Sequence, residues 1–228
     1  MVMGPILNEA DHARVTAAVA AAEAGTDAEI VTIVARRSDA YHDVALYYAA
    51  AAMLIVLGAL VVVPGVLPAK LDWLAGGWNS ESVDPRVILA VLLVGQAAAF
   101  FLIQFALMRA GLRARLAPLP VRSRRVRRRA IEYFRASAEK RTVARVGILI
   151  YLSLDEHRAE IVADAAITPH VTPECWGDAM EVLIDAVKDG RIADGMAGAV
   201  TEVGHVLARH LPKTEGDRNE LPDRLIEL

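Results

Sequence analysis

The chain has 228 residues, 55% of them hydrophobic, and a formal net charge of −3. A single cysteine, Cys175, excludes an internal disulfide and fits a reducing compartment, with a buried structural thiol as its expected role rather than a nucleophile. The small net charge hides an asymmetry: nine arginines and no acid lie between Arg109 and Arg129, whereas acids outnumber bases after Arg145.

The opening residues, MVMGPILNEADHARV, lack the charged start, apolar core and cleavage site of a signal peptide. Asn8, with Asp11 three residues on, reads as a helix cap with an acidic first turn. Val15, Ala18, Val19 and Ala22 give an apolar stripe up to Ala24, and Gly25 ends the helix. Glu29–Arg36 (EIVTIVAR) reads as a buried strand rich in β-branched residues. Two long uncharged runs follow, Ala45–Leu67 and Val87–Met108. About twenty-two helical residues at a rise of 1.5 Å cover roughly 33 Å, enough for a hydrocarbon core of about 30 Å. Both runs are expected to span a bilayer, the other option being a pair of buried core helices. Pro64 and Gly65 are expected to end the first helix early. Gln96, followed by Ala97, Ala98 and Ala99, marks a polar, small-residue face suited to packing on the first span or on another copy of the chain. With no charged residue in either span, the hairpin reads as an anchor rather than a pore.

Beyond the hairpin, Arg127–Glu139 is expected to be an amphipathic helix with Ala130, Ile131, Phe134 and Ala138 on one face. Val146–Ser153 and Arg158–Ala163 read as strands joined by the LDEH turn. Thr172, Pro173 and Glu174 supply a cap hydroxyl, a first-turn proline and an acid for a helix that stops at Gly190. Its stripe is Trp176, Met180, Leu183, Ile184 and Val187. A last helix is expected over Asp194–His210, burying Met196, Val200, Val203 and Leu207. Its interior Gly198 and Gly204 cost about 1 kcal/mol each, which points to close packing against a neighbour. Lys213–Asn219 reads as a polar tail and Leu221–Leu228 as a segment that either docks or frays.

This order of elements predicts an α/β fold, an α/β sandwich whose small mixed sheet is flanked by helices and interrupted by a two-helix transmembrane hairpin. Residues 1–43 and 110–212 would form one domain around the 44–109 hairpin, with 213–228 as the tail. Only Lys70 and Arg86 lie between the spans, whereas nine arginines follow the second and Arg36 and Arg37 precede the first. Positive residues set topology, so both termini are expected to be cytoplasmic in a multi-pass protein of the inner (cytoplasmic) membrane. Trp73 and Trp78 would then mark the outer interface, and Tyr47 and Tyr48 the inner one. Arg122, Arg124, Arg125, Arg127, Arg128 and Arg129 lie about a dozen residues beyond a span and are expected to face anionic lipid headgroups, at about 1 kcal/mol per basic residue. No interleaved aromatics accompany them, so nucleic acid is not an expected partner.

The stretch TVARVGILIYLSLDEHRAEIVADAAI (Thr142–Ile167), Trp176, GRIADGMAGAV (Gly190–Val200), HVLARHLP and the closing NELPDRLIEL together resemble the TPM domain. That module is named after thylakoid, photosystem-assembly and receptor-modulator proteins. The resemblance covers about Arg127–Leu228, with a weaker match over AEIVTIVA (Ala28–Ala35). It implies an α/β sandwich. In some relatives it goes with divalent-metal binding and weak phosphatase activity, in others with assembling or maintaining membrane protein complexes. Relatives often place glycine after the aspartate of the third strand, where this chain has Ala165 and Ala166.

Calcium takes six to eight oxygens, usually from several carboxylates. Asp39, Asp155 and Asp164 follow the three expected strands and are the candidate ligands for a divalent cation such as calcium; the same residues also read as solvated turn and cap acids. If the first two strands run parallel, Asp39 and Asp155 share an edge and Asp164 lies opposite. His205 and His210, five residues apart, project roughly 140° apart around a helix and do not converge on one ion. His157 and His170 have no partner at ligand spacing. No glycine-rich phosphate loop, G-x-S-x-G elbow or HExxH occurs, and no catalytic residue is assigned. The leading expectation is a non-enzymatic module that binds or assembles membrane protein partners. A metal-assisted phosphatase is the alternative.

Overall fold

A computed structural model of the chain describes residues 5–66, 69–70, 84–137, 146–169, 171–214 and 223–228. The chain divides into two compact units, residues 1–39 with 118–228, and residues 40–117.

The first unit holds helices α1 (Glu9–Glu23), α5 (Leu119–Ser137), α6 (Gly177–Lys188) and α7 (Ile192–His210) and strands β1 (Glu29–Ala35), β2 (Gly147–Ser153), β3 (Arg158–Ala163) and β4 (Ile226–Glu227). The strands form one mixed sheet in the order β3-β2-β1-β4. β1 runs parallel to both β2 and β4, and β3 pairs antiparallel with β2. Strand alternation sends Ile30, Val34, Ile148, Ile150 and Leu152 to one face, where Val15 and Val19 of α1, Leu183 of α6 and Met196, Val200, Val203 and Leu207 of α7 pack on them. Val31, Ile33, Leu149 and Tyr151 point the other way, against Val126, Ala130 and Phe134 of α5. Helices cover both faces, so every residue of β1 and β2 is buried; this is why those strands read as unbroken apolar runs. The mixed sheet flanked by helices agrees with the order of elements in the sequence.

Several boundaries differ from expectation. α5 begins at Leu119 rather than Arg127, so the whole arginine cluster is helical; arginine is a good helix former, and the apolar stripe alone hid the first two turns. The end expected at Glu139 lies outside the described residues, as do Trp73, Trp78, His170 and most of the polar tail. Thr172 precedes a 3-10 turn, Pro173–Trp176, and α6 starts only at Gly177. On that turn Trp176 takes the inward position, which leaves Cys175 exposed instead of buried as expected.

The closing segment docks. Leu228 N donates to Val34 O at 3.0 Å and Arg36 N to Leu228 O at 2.9 Å. Glu227 then ties the two ends of the chain together, accepting from Ile6 N at 2.8 Å, Leu7 N at 2.9 Å and pairing with His12 Nε2 at 2.9 Å. Burial alone would raise the Glu227 carboxyl, but these donors outweigh it and hold it below the usual range. Asn8 and Asp11 form the expected reciprocal cap on α1.

The second unit holds α2 (His42–Val62), α3 (Pro85–Ala106) and the short α4 (Ala110–Leu116). α2 and α3 each reach a mean hydropathy of 2.3 and are long and apolar enough to cross a membrane by length and composition. α2 stops just before Pro64, and Asp84 caps α3 by accepting from Arg86 N at 2.8 Å. Gln96 Nε2 donates to Met53 O at 3.1 Å, so the polar face of α3 packs on α2. Arg113 of α4 is buried, with Nη1 2.7 Å from His42 Nδ1.

The glycines of α7 sit where helices touch. A Cβ on Gly204 would come within 2.7 Å of Ala22 Cβ and 3.2 Å of its Cα, and one on Gly198 within 2.6 Å of Val182 Cγ1. A Gly204→Val substitution must push α1 and α7 apart, at a cost of about 1–3 kcal/mol. Thermal unfolding of the purified chain should show a clear drop in Tm.

Glu23, at the end of α1, is buried and accepts from Ile30 N at 2.7 Å. Desolvation pushes its carboxyl up to about 8; the Ile30 amide opposes this, Glu29 and Asp223 add to it and Lys213 relieves it in part. The folded state therefore holds a proton that the unfolded state, with a pKa of 4.5, has released. The associated stability is present below about pH 4.5 and is lost as pH rises through about 8. Denaturant unfolding at mildly acidic and mildly alkaline pH should show this loss in the parent chain and a much flatter profile in Glu23→Gln, which keeps the acceptor for Ile30.

Candidate functional site

Parallel pairing brings the carboxyl ends of β1 and β2 side by side, and the segments leaving them build the main polar cluster of the first unit. Asp155 N donates to Arg36 O at 2.8 Å, and Leu154 N to Ala35 O at 3.0 Å, so the two exits are laced together. Beneath them lie four buried polar side chains: Ser38, Tyr151, Ser153 and Glu156. Ser38 N donates to Glu156 Oε1 at 2.9 Å, Ser38 Oγ donates to Ser153 Oγ at 2.9 Å, and Ser153 Oγ donates to Glu156 Oε2 in a short bond. With the Ser38 proton engaged, the Tyr151 hydroxyl, 3.0 Å away, donates to Ser38 Oγ. The donors thus run in one direction, from Tyr151 through both serines to the Glu156 carboxylate. Desolvation raises the Tyr151 phenol above its ordinary range, so it stays protonated and keeps its place as a donor.

α5 lays its arginines over this cluster. Arg125 Nη1 and Arg128 Nη2 approach Asp39 Oδ2 at 3.2 Å and 3.5 Å. Arg129 Nε donates to Ser38 O at 3.2 Å, and its guanidinium stacks 5.5 Å from the Tyr133 ring centroid, itself 5.8 Å from that of Tyr151. Arg127 reaches Glu160 of β3 at 3.5 Å. Burial pushes the Glu160 carboxyl up, and Arg127 and Arg158 pull it part of the way back. Arg128 and Arg129 also pair with Glu132 along the helix, at 3.7 Å and 3.0 Å. Arg124 Nε donates to Pro120 O at 3.3 Å, and Arg122 Nε has no partner among the described residues. Four of the six arginines expected at lipid headgroups therefore reach carboxylates of their own unit.

The candidate metal ligands do not meet. Asp39 and Asp155 share the carboxyl edge, as parallel pairing requires, and Asp39 is engaged by two guanidiniums. Asp164 lies at the opposite edge, where its N donates to Gly147 O at 2.9 Å. The length of β2 separates the two edges by roughly 20 Å, whereas calcium ligands lie within about 2.3–2.6 Å of the ion. No group of three or more His, Cys, Asp or Glu among the described residues is placed to hold a metal ion. Asp164 is buried, its carbonyl accepts from Ile167 N and Thr168 N, and its Oδ2 has no partner among the described residues.

The four-residue network was not foreseen. Its signal was present: Tyr151 and Ser153, two apart in an apolar strand, must share a face, and Glu156 follows in the turn. Ser38, however, comes from a segment far away in sequence. Enclosed side chains of this kind fix two chain exits in one geometry, and nothing leaves either serine open to a substrate.

No family model matches the chain, and no curated protein matches it in sequence. Among solved structures it is similar to the NMR structure of the BA42 protein from the psychrophilic bacterium Bizionia argentinensis, at 15% identity and a TM-score of 0.56, over 99% of this chain and 98% of that one. The likeness concerns the fold alone.

Glu156→Ala would leave the Ser38 amide and the Ser153 hydroxyl without their acceptor, at a cost of about 1–3 kcal/mol for each buried group. Glu156→Gln keeps one acceptor oxygen and should cost less. Urea unfolding of both variants measures the difference, and equal stability of Glu156→Ala and the parent would show the network to be dispensable.

Proposed function

We propose that this chain is a membrane-anchored protein of TPM-domain type, held in the inner membrane by α2 and α3, whose α/β unit binds or helps to assemble membrane protein complexes on the cytoplasmic side. The observation that carries the anchor is the outward apolar surface of the two helices. Ile55 is 71% exposed, Val61 80%, Leu93 71% and Phe105 73%. A core helix would be mostly buried, yet only 17% of the most apolar window of α2 and 6% of that of α3 are. Water does not tolerate so large a continuous apolar surface on a single chain, whereas lipid covers it without cost. The arginines past α3 support the orientation. The ion pairs of the exposed Arg127 and Arg128 are worth about 0–1 kcal/mol each, so either guanidinium can leave its carboxylate for an anionic headgroup at little cost.

A binding role fits the polar cluster better than turnover does. Its serines are enclosed, and Asp39, which follows Ser38 in the chain, is occupied by Arg125 and Arg128. The phosphatase alternative rests on the family resemblance, and among the described residues no group of three or more His, Cys, Asp or Glu is placed to hold the metal it would need.

The full-length product should sediment with membranes, resist an alkaline wash and be released by detergent. A reporter fused after Ser80 should read as external and one fused at either terminus as cytoplasmic. Recovery in the supernatant after high-speed centrifugation without detergent would overturn the anchor, and a cytoplasmic reading after Ser80 would overturn the topology.

A further inference from the structure

β3 is the outer strand of the sheet, and its register shows which of its backbone groups face away from β2. Asp164 N bonds Gly147 O, and the antiparallel ladder continues through Leu149↔Val162, Tyr151↔Glu160 and Ser153↔Arg158. In such a ladder alternate residues turn their N–H and C=O toward the neighbour. Asp164, Val162, Glu160 and Arg158 therefore face β2, and Ala159, Ile161 and Ala163 present theirs outward. Among the described residues no partner meets these outward groups. An open edge of this length is a template for another strand.

We propose that the occupant is β3 of a second copy of this chain, paired antiparallel about a two-fold axis at Ile161. This register places Ile161 opposite Ile161 and Ala159 opposite Ala163, so that each outward residue exchanges both of its main-chain bonds. It also places Arg158 opposite Asp164 on the face covered by α5. Neither side chain forms a salt bridge within its own chain among the described residues, although Arg158 also acts on the neighbouring Glu160. The charges are thus complementary in this register, twice over by symmetry. Centring the pair on Glu160 instead would set two glutamates against each other. One strand pair makes a small interface, so confinement of both copies to a membrane, as proposed above, raises the local concentration that sustains it.

The test is thiol cross-linking in whole cells expressing the full chain, with Cys175→Ser as background. Opposed residues of a bonded antiparallel pair lie about 5.5 Å apart between Cα atoms, within disulfide range. Ile161→Cys should give a dimer band under oxidation. Ala159→Cys alone should not, since its two copies would lie roughly 14 Å apart along the strands, and Ala159→Cys with Ala163→Cys should. Arg158→Glu on the Ile161→Cys chain should lower the yield by roughly tenfold, because a carboxylate would then face Asp164. Ala163→Pro removes an outward donor while leaving the bonds to β2, and should act likewise. A dimer yield for Ile161→Cys no greater than for exposed Thr201→Cys on α7 would overturn the pairing, as would full cross-linking in both Arg158→Glu and Ala163→Pro. Membrane fractionation of the same cells reads the anchor separately, so the two failures are distinguishable.

Discussion

The parallel ladder between β1 and β2 is the constraint on which the architecture depends. Parallel neighbours cannot be joined by a tight turn, because the chain must return to the starting end of the sheet before the second strand begins. Here the return contains two long apolar helices as well as α5, the helix that covers the sheet. Both ends of that long excursion are fixed. The register Glu29↔Gly147 to Ala35↔Ser153 aligns the strands, and the bonds from Leu154 and Asp155 to Ala35 and Arg36 hold the exits together. The polar cluster at Ser38 follows from this alignment: only parallel strands put the residue after β1 over the last residues of β2.

Burial and charge divide the work around that edge. The enclosed chain from Tyr151 to Glu156 is fully partnered and gains its strength from low local dielectric. In the arginine layer outside it Arg125 is largely enclosed against Asp39, whereas Arg127 and Arg128 are each 68% exposed and their ion pairs are individually weak. An inner network that fixes geometry and an outer one whose exposed members can exchange partners are consistent with the lipid-facing role proposed above.

Much of the fold was legible because both strands of the ladder are continuous β-branched and aliphatic runs and because α1 carries its cap in the residues Asn8 and Asp11. The start of α5 was hidden, since Leu119–Val126 shows no apolar stripe and its helix rests on arginine propensity and on Val126 alone reaching the core. Cap residues serve a 3-10 turn as well as an α-helix, so the sequence does not separate the turn at Pro173–Trp176 from the helix after it; the burial expected of a lone cysteine fails independently, since Cys175 is exposed. Asp39, Asp155 and Asp164 were rightly assigned to strand ends, but charge partners are a tertiary fact, and local spacing does not tell that Arg125 and Arg128 lie over Asp39. The cluster around Ser38 was invisible for the same reason, since Ser38 and Glu156 meet across more than a hundred positions.

The order of synthesis gives the ladder a further consequence. β1 leaves the ribosome well before either of its partners, since β2 and β4 both follow the two apolar helices. Until those strands are made, the seven residues of β1, all enclosed in the finished fold, have neither of their ladder partners. α1, which precedes β1 in the chain, is already made at that point and can shield it, and its small Ala22 leaves room for Gly204 of α7 to close on it later.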